Sequence, residues 1–436
     1  MREMKDSGVE WIGEIPKNWK VERLRYIIKD YKSGPFGSTL KMDGLLADGN
    51  ILIYSPEHIT LHSSDSDKNL YLPDEREEEM SQFIVKENDI LFPIVGSLGK
   101  AMIITADMPK GIINQRVAKF QIDNTIVDQD YFMWLFAKSN FYQPYIDLSC
   151  RGSFIVNLTK AIINDMPCVI QPLAIQKKIS TYLDAKCSKI DEIIEKEQAI
   201  IEKLKEYKLS VIIETVTKGL NPNVEMKDSG VEWIGQMPTS WDCTTVGMIA
   251  TVVRGASPRP AGDPLYFNGT DVPWITVAEV TKGDGKYIDG TETFLTFEGA
   301  KQSRIVEEGT LLLSNSGATL GVPKITRIRG CINDGSVAFY NLSINQEFLL
   351  YLFKGRTFEL RKQMQGYGQP NLNTTIVKGI EVPLPTELEQ KAIVEFLDQK
   401  CTAIEKTIED REKAIDKLQE YKKSLIYEVV TGKKEV

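Results

Sequence analysis

The sequence contains few of the residues from which catalytic and metal sites are usually built. Its 436 residues include two histidines and six cysteines. The cysteines form no CxxC pair, which argues against a zinc framework and favours free, mostly buried thiols in a reducing compartment. His58 and His62 are four residues apart but lack the glutamate of an HExxH motif, so we expect both in loops or at the surface. The sequence therefore predicts no metal site and no catalytic site.

Cofactor-binding motifs are also missing. The chain has no GxGxxG, and Gly96–Ala101 lacks the spacing and the hydroxyl residue of a phosphate-binding loop. It also lacks the Asn/Asp-Pro-Pro-aromatic motif that amino-methyltransferases use. An enzyme that acts alone is therefore a poor fit, and we expect no cofactor in this chain.

Long apolar runs and a basic excess are absent as well. No apolar run reaches the ~18 residues that would suggest a membrane span. The polar N-terminus does not resemble a signal peptide, so we expect a cytoplasmic protein without a membrane partner. The net charge of −8 argues against a uniformly basic nucleic-acid binder. Any DNA contact would have to use local basic patches or rely on partner proteins.

An internal duplication organises the chain. The segment Met4–Gly13 recurs without change as Met226–Gly235, and Leu183–Cys187 recurs with one substitution as Leu397–Cys401. Two unrelated anchors in the same order define one repeating unit that is present twice. Each unit consists of a globular segment followed by a helical segment.

The helical segments carry an apolar stripe with heptad spacing, and each predicts a helix of about 45 residues without internal proline or glycine. The predicted seam residues are Leu183, Ile190, Ile194, Glu197, Ile201 and Leu204 in the first helix, and Leu397, Ile404, Ile408, Arg411, Ile415 and Leu418 in the second. The stripes can pair with each other, antiparallel about a pseudo-twofold axis, or each can dock on another subunit. We favour the intramolecular pair, which would bring the central residues Glu197 and Arg411 together.

The globular segments repeat the same order of elements. Apolar strand candidates at 89–95 and 310–314 are each followed by a glycine-containing loop, and buried helices are predicted at 131–136 and 348–353. The expected fold is α+β, with two similar globular α/β domains separated by two long antiparallel coiled-coil helices. The predicted segments are 1–170 and 223–385 for the globular domains and 171–222 and 386–436 for the helical spacers.

Polar loop residues in both halves are candidates for DNA contacts, because such side chains can pair with base edges and phosphates. In the first half they are Lys32, Ser33, Ser38, Ser97, Lys100, Asn114, Gln115, Arg116, Arg151 and Ser153. In the second half they are Arg254, Ser257, Arg259, Asn315, Ser316, Thr319, Tyr367, Gln369 and Asn371. Any one of these patches could equally be a solvated turn, but their recurrence at matching places favours a shared role.

Several of these motifs resemble one known family. The opening Lys5–Trp19, the segment Lys32–Ser38 and the helical segments Gln176–Thr217 and Gln390–Thr431 are similar to those of type I restriction-modification specificity subunits. The resemblance covers essentially the whole chain and includes its duplication.

The resemblance implies a function for each part. Each globular segment would be a target recognition domain that reads half of a bipartite sequence in double-stranded DNA, and the coiled coil would set the spacing. Two methyltransferase subunits would bind S-adenosylmethionine, and motor-nuclease subunits would use ATP and Mg. Two alternatives remain open at this point. One is a coiled-coil scaffold with two domains for ligands other than DNA, and the other is a stand-alone DNA-modifying enzyme.

Overall fold

In the computed structural model, the chain forms two compact units, each containing one globular module and part of both long helices. The structure describes residues 2–35, 40, 44–64, 68–95, 99–149, 157–317, 320–363 and 372–436. Unit 1 comprises Met1–Lys196 with Lys413–Val436, and unit 2 comprises Glu197–Glu412. We call the globular part of unit 1 module 1 (residues 2–170) and that of unit 2 module 2 (residues 223–385). The predicted segment boundaries fall beside the ends of the long helices, whereas the compact units divide both helices near their middles.

Module 1 is built from short strands with helices packed on them. Its strands are β1 (Met4–Asp6), β2 (Glu14–Pro16), β3 (Lys20–Arg23), β4 (Ile28–Ser33), β5 (Ile51–Tyr54), β6 (Tyr71–Leu72), β7 (Ile90–Pro93), β8 (Met102–Ile103), β9 (Gly111–Ile113), β10 (Val117–Ile122) and β11 (Pro167–Ile170). Its helices are α1 (Pro56–Leu61), α2 (Gln129–Phe136), α3 (Gln143–Ser149) and α4 (Lys160–Asp165), and the long helix α5 (Leu173–Lys218) follows.

Module 2 has a comparable set of elements. Its strands are β12 (Met226–Asp228), β13 (Gln236–Pro238), β14 (Asp242–Thr245), β15 (Thr251–Arg254), β16 (Phe267–Ile275), β17 (Tyr287–Ile288), β18 (Phe294–Leu295), β19 (Arg304–Val306), β20 (Leu311–Ser314), β21 (Pro323–Thr326), β22 (Gly330–Ile332), β23 (Ser336–Tyr340) and β24 (Glu381–Leu384). Its helices are α6 (Val246–Ile249), α7 (Val277–Thr281), α8 (Phe297–Lys301), α9 (Gln346–Gln363) and α10 (Thr374–Lys378), and the long helix α11 (Glu387–Val430) follows.

The main sheets of the two modules share one topology. The strand order is β4-β10-β7-β8 in module 1 and β15-β23-β20-β21 in module 2, where β17 extends the sheet. The four strands that the two sheets share are antiparallel to one another in both modules. The apolar runs β7 and β20 lie next to the sheet centre and are buried throughout. The predicted strands at 89–95 and 310–314 are therefore confirmed, as is the prediction of one fold used twice.

A second, smaller sheet is also common to both modules. Its order is β6-β5-β9 in module 1 and β18-β16-β22-β19 in module 2. In each case a parallel pair, β5 with β9 or β16 with β22, lies beside an antiparallel neighbour. Parallel strands need a long crossover connection, and the main-sheet strands β7 and β20 lie within that crossover.

Buried helices complete each core, as predicted. All six residues Tyr131–Phe136 of α2 are buried, and so are all six residues Phe348–Phe353 of α9. In module 1 the Phe136 ring lies 5.4 Å from the Phe92 ring of β7 and 5.6 Å from the Phe120 ring of β10. Both contacts are edge-to-face, an arrangement that stabilises the core beyond the effect of burying apolar surface.

The identical segments Met4–Gly13 and Met226–Gly235 fold identically. The hairpins β1-β2 and β12-β13 have the same register. Each loop is closed by a backbone hydrogen bond, from Ser7 to Gly13 at 3.0 Å and from Ser229 to Gly235 at 2.9 Å. The repeat at the sequence level is thus a repeat at the structural level.

The last helix closes unit 1 against this hairpin. The Tyr427 hydroxyl donates to the carbonyl oxygen of Ile12 at 2.9 Å. Gly432 follows α11 with φ +73°, and a Cβ atom there would lie 2.5 Å from Pro16 Cγ. Glycine is therefore required at this position for both backbone conformation and space.

The two long helices contact each other within unit 2, and their direction is antiparallel. Arg411 donates to Glu197 at 2.5 Å, and Lys208 donates to Glu405 at 2.5 Å. The residue number rises along α5 while that of its partner on α11 falls. The predicted contact between Glu197 and Arg411 is confirmed, and so is the intramolecular pairing of the stripes.

Within unit 1 the same helices pair again. Lys422 of α11 donates to both carboxylate oxygens of Asp191 of α5, at 2.6 and 2.7 Å. Of the predicted seam residues, the buried ones are Leu183, Ile190, Ile201, Leu397, Ile404 and Ile415. Those of intermediate exposure are Ile194, Glu197, Leu204, Ile408, Arg411 and Leu418. Across the described ranges, no helix is sufficiently long and apolar to cross a membrane.

Candidate nucleic-acid interface

Three of the predicted loop patches of module 1 lie together at one edge of its main sheet. Strands β4 and β7 both run antiparallel to β10, so the ends of β4 and β7 meet the start of β10. Gly34 donates its backbone N–H to the carbonyl of Val117 at 2.9 Å, and Ile94 donates to the carbonyl of Arg116 at 2.9 Å. The sheet thus gathers patches that are separated by up to about 80 residues in the sequence. We call this end of the sheet, which includes residues 34, 94 and 114–117, the reading edge of module 1.

A glycine lets the backbone segments approach closely at this edge. A Cβ atom at Gly34 would lie 1.8 Å from the carbonyl oxygen of Asn114, a distance that no side chain permits. Gly34 is therefore needed for the packing of this segment against Asn114–Arg116.

The polar side chains at this edge differ in their exposure and in their hydrogen bonds within the protein. The Asn114 Oδ1 atom accepts the backbone N–H of Arg116 at 2.8 Å, which fixes the turn. Gln115 and Arg116 are exposed, and so is Lys100 in the loop between β7 and β8. Lys32, in contrast, donates to Gln82 and lies with its ammonium group 5.2 Å from the Phe83 ring centroid.

Module 2 has the same reading edge. Gly255 donates to the carbonyl of Ser336 at 2.9 Å, and Asn315 donates to the carbonyl of Gly335 at 2.9 Å. A Cβ atom at Gly255 would lie 2.1 Å from the carbonyl oxygen of Asn333. These backbone contacts of module 1 therefore have counterparts here, although the side chains at the edge differ.

The first described residues after the last predicted segment of each half hydrogen-bond to this edge. Leu158 donates its N–H to the carbonyl of Ile94 at 2.9 Å, and Leu372 donates to the carbonyl of Asn315 at 2.7 Å. Eight predicted contacts lie outside the described residues: Ser38, Ser97, Arg151, Ser153, Thr319, Tyr367, Gln369 and Asn371.

One residue that the sequence analysis did not select organises the reading edge of module 2. Asp334 accepts Arg254 Nε at its backbone carbonyl (2.8 Å) and the Ser257 hydroxyl at Oδ1 (2.6 Å). Its Oδ2 atom lies 3.6 Å from a guanidinium nitrogen of Arg259. The signal was present in the sequence, because Asn333–Gly335 aligns with Asn114–Arg116, from which contacts were selected.

Each reading edge carries only a few exposed positive charges that could contact a polyanion. Exposed Lys100 and Arg116 mark the edge of module 1, and Arg254 and the 71% exposed Arg259 side chain mark that of module 2. Asp334 offsets part of the positive charge in module 2. A few cations of this kind can position a phosphate backbone but cannot provide strong binding alone.

The thiols offer no nucleophile in the described part of the chain. All five described cysteines are free, and four of them are buried. Burial raises the pKa of Cys168 to about 12 and is also the main cause of the raised pKa of Cys187 and Cys331. A thiol with a raised pKa is a poor nucleophile because little thiolate is present. The prediction of free, mostly buried thiols is confirmed for these residues.

The prediction that both histidines lie in loops or at the surface was wrong for His58. This residue is in α1, is 1% exposed, and accepts the Ser55 backbone N–H at Nδ1 with a distance of 2.9 Å. Its Nε2 atom lies 3.0 Å from the Asn69 Oδ1 atom. His58 therefore closes the start of α1 and holds a loop. Among the described residues, no group of His, Cys, Asp and Glu side chains could hold a metal ion.

Comparison with known proteins gives a consistent result. The family model for the type I restriction modification DNA specificity domain matches residues 16–206 and again residues 238–412. The chain is 25% identical to the type I restriction enzyme MjaVIII specificity subunit of Methanocaldococcus jannaschii, over 96% of this chain and 93% of that protein. It is 24% identical to the StySPI specificity subunit of Salmonella potsdam, over 61% and 57% of the two chains.

Solved structures show the same fold. A chain from a study of complex assembly and conformational transition of the type I R-M system superposes with a TM-score of 0.74 at 16% identity, covering 95% of this chain and 98% of that one. The HsdS subunit from Thermoanaerobacter tengcongensis gives a TM-score of 0.52 at 17% identity, with 96% and 98% coverage. Identities this low bear on the fold alone.

Proposed function

Because this chain belongs to the family of type I restriction-modification DNA specificity subunits, we propose that each module reads one half of a bipartite DNA target through its reading edge. The observation that carries this proposal is the duplicated edge, where the same backbone contacts present different side chains. A constant scaffold with variable polar loops suits two domains that recognise two different DNA sequences. Base edges in the major groove offer donors and acceptors that Arg, Asn, Gln and Ser can match.

The long helices would set the separation of the two half-sites. Rods of 46 and 44 residues, paired antiparallel, are stiff compared with a loop. Ion pairs that include Arg411 with Glu197 fix their register. A change in helix length would therefore change the number of base pairs between the half-sites and leave the half-sites themselves unchanged.

The chemistry would reside in other subunits. We propose that the chain is non-catalytic, and that two methyltransferase subunits with S-adenosylmethionine and motor-nuclease subunits with ATP and Mg assemble on it in the cytoplasm. If these subunits and the chain enclose the DNA duplex together, a DNA-binding chain can have the net charge of −8. The partners would then supply much of the phosphate neutralisation, and the chain alone would bind DNA weakly.

A module exchange tests the proposal. Residues 20–170 are replaced with those of a relative, and methylated sites are mapped across the genome of a host that expresses the complex. One half of the methylated motif should change while the other half and the spacer stay the same. Exchange of residues 242–385 is the matched control and should change only the other half. A motif that is unaffected by both exchanges would refute the reading role.

A binding assay separates this function from a scaffold for other ligands. Electrophoretic mobility shifts with target and random duplexes are measured for the chain alone and for its complex with the methyltransferase subunits. We expect weak binding by the chain and tight, target-dependent binding by the complex. Target-independent binding by the complex would favour the scaffold alternative.

A further inference from the structure

The two reading edges differ at one buried position. Ile94 and Asn315 occupy equivalent places, because each donates its N–H to the carbonyl of the residue that precedes β10 or β23. Each also accepts the N–H of a leucine, Leu158 or Leu372, at its own carbonyl. Ile94 is 8% exposed and Asn315 is 0% exposed. Where module 1 buries a hydrocarbon side chain, module 2 buries a carboxamide.

Within the described ranges, the carboxamide of Asn315 has no hydrogen-bond partner. Neither its Oδ1 nor its Nδ2 atom is paired. The hydroxyl of Ser336, which starts the neighbouring strand, is also buried and unpaired, as is Asn333 Oδ1. The position equivalent to Ser336 in module 1 is the fully buried Val117. Module 2 therefore has a buried polar cluster under its reading edge at positions where module 1 is apolar.

Folding alone does not explain this buried polar cluster. A buried polar group without a partner lowers the stability of the folded state, and an apolar side chain of similar size would not. Module 1 shows that isoleucine and valine fit this fold at the same two places. The cost is offset when a ligand supplies one donor and one acceptor to the carboxamide, because both unpaired atoms are then satisfied.

We propose that Asn315 is a specificity-determining residue of module 2, whose carboxamide turns outward on DNA binding and pairs with an adenine base edge in the second half-site. Adenine presents the N7 acceptor and the N6 donor in the major groove, and asparagine matches both. The inference rests on the proposed reading function of the edge. The backbone of Asn315 is held by hydrogen bonds on both sides, so the rotation involves the side chain.

The test uses the full chain assembled with its methyltransferase subunits. The complex methylates a double-stranded DNA library in which both half-sites are randomised, and the methylated products are sequenced. The variant Asn315→Ile carries the residue of module 1. It should lose about tenfold or more of the adenine preference at one position of the second half-site. Preferences in the first half-site should not change, which provides the control within each molecule.

A second variant guards against a purely structural effect. Asn315→Asp has nearly the same shape but only acceptors, so the preference at that position should move from adenine toward cytosine, whose N4 group donates. Thermal unfolding should show that Asn315→Ile is at least as stable as the parent chain.

Three outcomes are distinguishable. Unchanged preferences at all positions of the second half-site in both variants would overturn the inference. A loss of preference in both half-sites would also overturn it, because the effect would then be one of folding. Absence of any preference in the parent complex would refute the proposed function itself.

Discussion

Arg411 donates a hydrogen bond to Glu197, and the two residues are 214 positions apart, which is also the interval between the two copies of the long-helix sequence. Each residue is therefore the counterpart of the other in the repeat. In an antiparallel pair of equivalent helices, only the central position meets its own counterpart. Positions away from the centre meet in reciprocal pairs, and Lys208 with Glu405 corresponds to Lys422 with Asp191.

A charge reversal tests the central pair. Glu197→Arg places two guanidinium groups together and should lower the free energy of unfolding by about 1 kcal/mol, since the pair is partly exposed. Arg411→Glu should have a similar effect. The double variant restores opposite charges, and urea denaturation should show it within about 0.5 kcal/mol of the parent chain. Additive losses in the double variant would show that the two side chains do not interact in solution.

A buried ion pair in module 1 provides a second test. Lys119 donates to Asp89 at 2.7 Å, and their side chains are 7% and 2% exposed. Asp89 also accepts from Gln121 Nε2 at 2.9 Å and from the Lys86 N–H at 2.8 Å. Lys119→Met leaves this carboxylate buried without its counter-charge and should cost about 3–5 kcal/mol in urea denaturation.

The matched double variant distinguishes loss of the pair from loss of packing. Asp89→Asn with Lys119→Met removes both charges, so it should be less destabilised than the sum of the two single variants. A double variant whose loss equals that sum would mean that the charges contribute independently of each other.

The elements that the sequence predicts well are those with a strong local pattern. Heptad spacing predicted both long helices and the meeting of Glu197 with Arg411, because a single stripe on a long helix needs a partner of the same kind. The apolar strands at 89–95 and 310–314 were equally clear, since they are short apolar runs bounded by polar residues and glycine-containing loops.

Long-range pairing was the part that the sequence did not reveal. The parallel pair β5 with β9 joins strands about 60 residues apart, and no local pattern marks its register. Burial of His58 depends on Asn69 and Ser55, which satisfy its ring nitrogens, so a surface position was the natural expectation. The contacts of Asp334 likewise depend on Ser257, 77 residues away in the sequence. For the candidate site, the sequence identified the patches but not how the sheet assembles them.

Stability should depend on pH through Lys354. Burial, with the positive charges of Lys208 and Lys324 nearby, lowers the pKa of Lys354 to about 8. The folded chain therefore loses this proton at a lower pH than the unfolded chain, whose lysines titrate near 10.4. Unfolding takes up a proton between these values, so this group makes the chain more stable as the pH rises from about 8 toward 10.

The variant Lys354→Met isolates this contribution. It should stabilise the chain at pH 7, by on the order of 1 kcal/mol, because the partly buried positive charge is then removed. The advantage over the parent chain should shrink as the pH rises through 8 to 10 in urea denaturation. Lys203→Met, at an exposed position of α5, is the control and should show a pH-independent difference. A constant difference for Lys354→Met as well would contradict the lowered pKa.

The glycines of the two reading edges permit a matched pair of substitutions. Gly34→Ala would bring a methyl group within 1.8 Å of the Asn114 carbonyl oxygen, and Gly255→Ala within 2.1 Å of the Asn333 carbonyl oxygen. Both contacts are with backbone, which cannot rotate away as a side chain can, so the loops at that edge must separate. Each variant should lose stability by about 1–3 kcal/mol, the range found for overpacked interiors.

The functional consequence should be confined to one half-site in each case. Mapping of methylated sites should show that Gly34→Ala broadens the first half-site only and Gly255→Ala the second half-site only, because each glycine positions the loops of one module. Measurements are made below the unfolding temperature of the variant, so that both modules remain folded. Equal broadening of both half-sites by either substitution would mean that the edges do not read DNA independently.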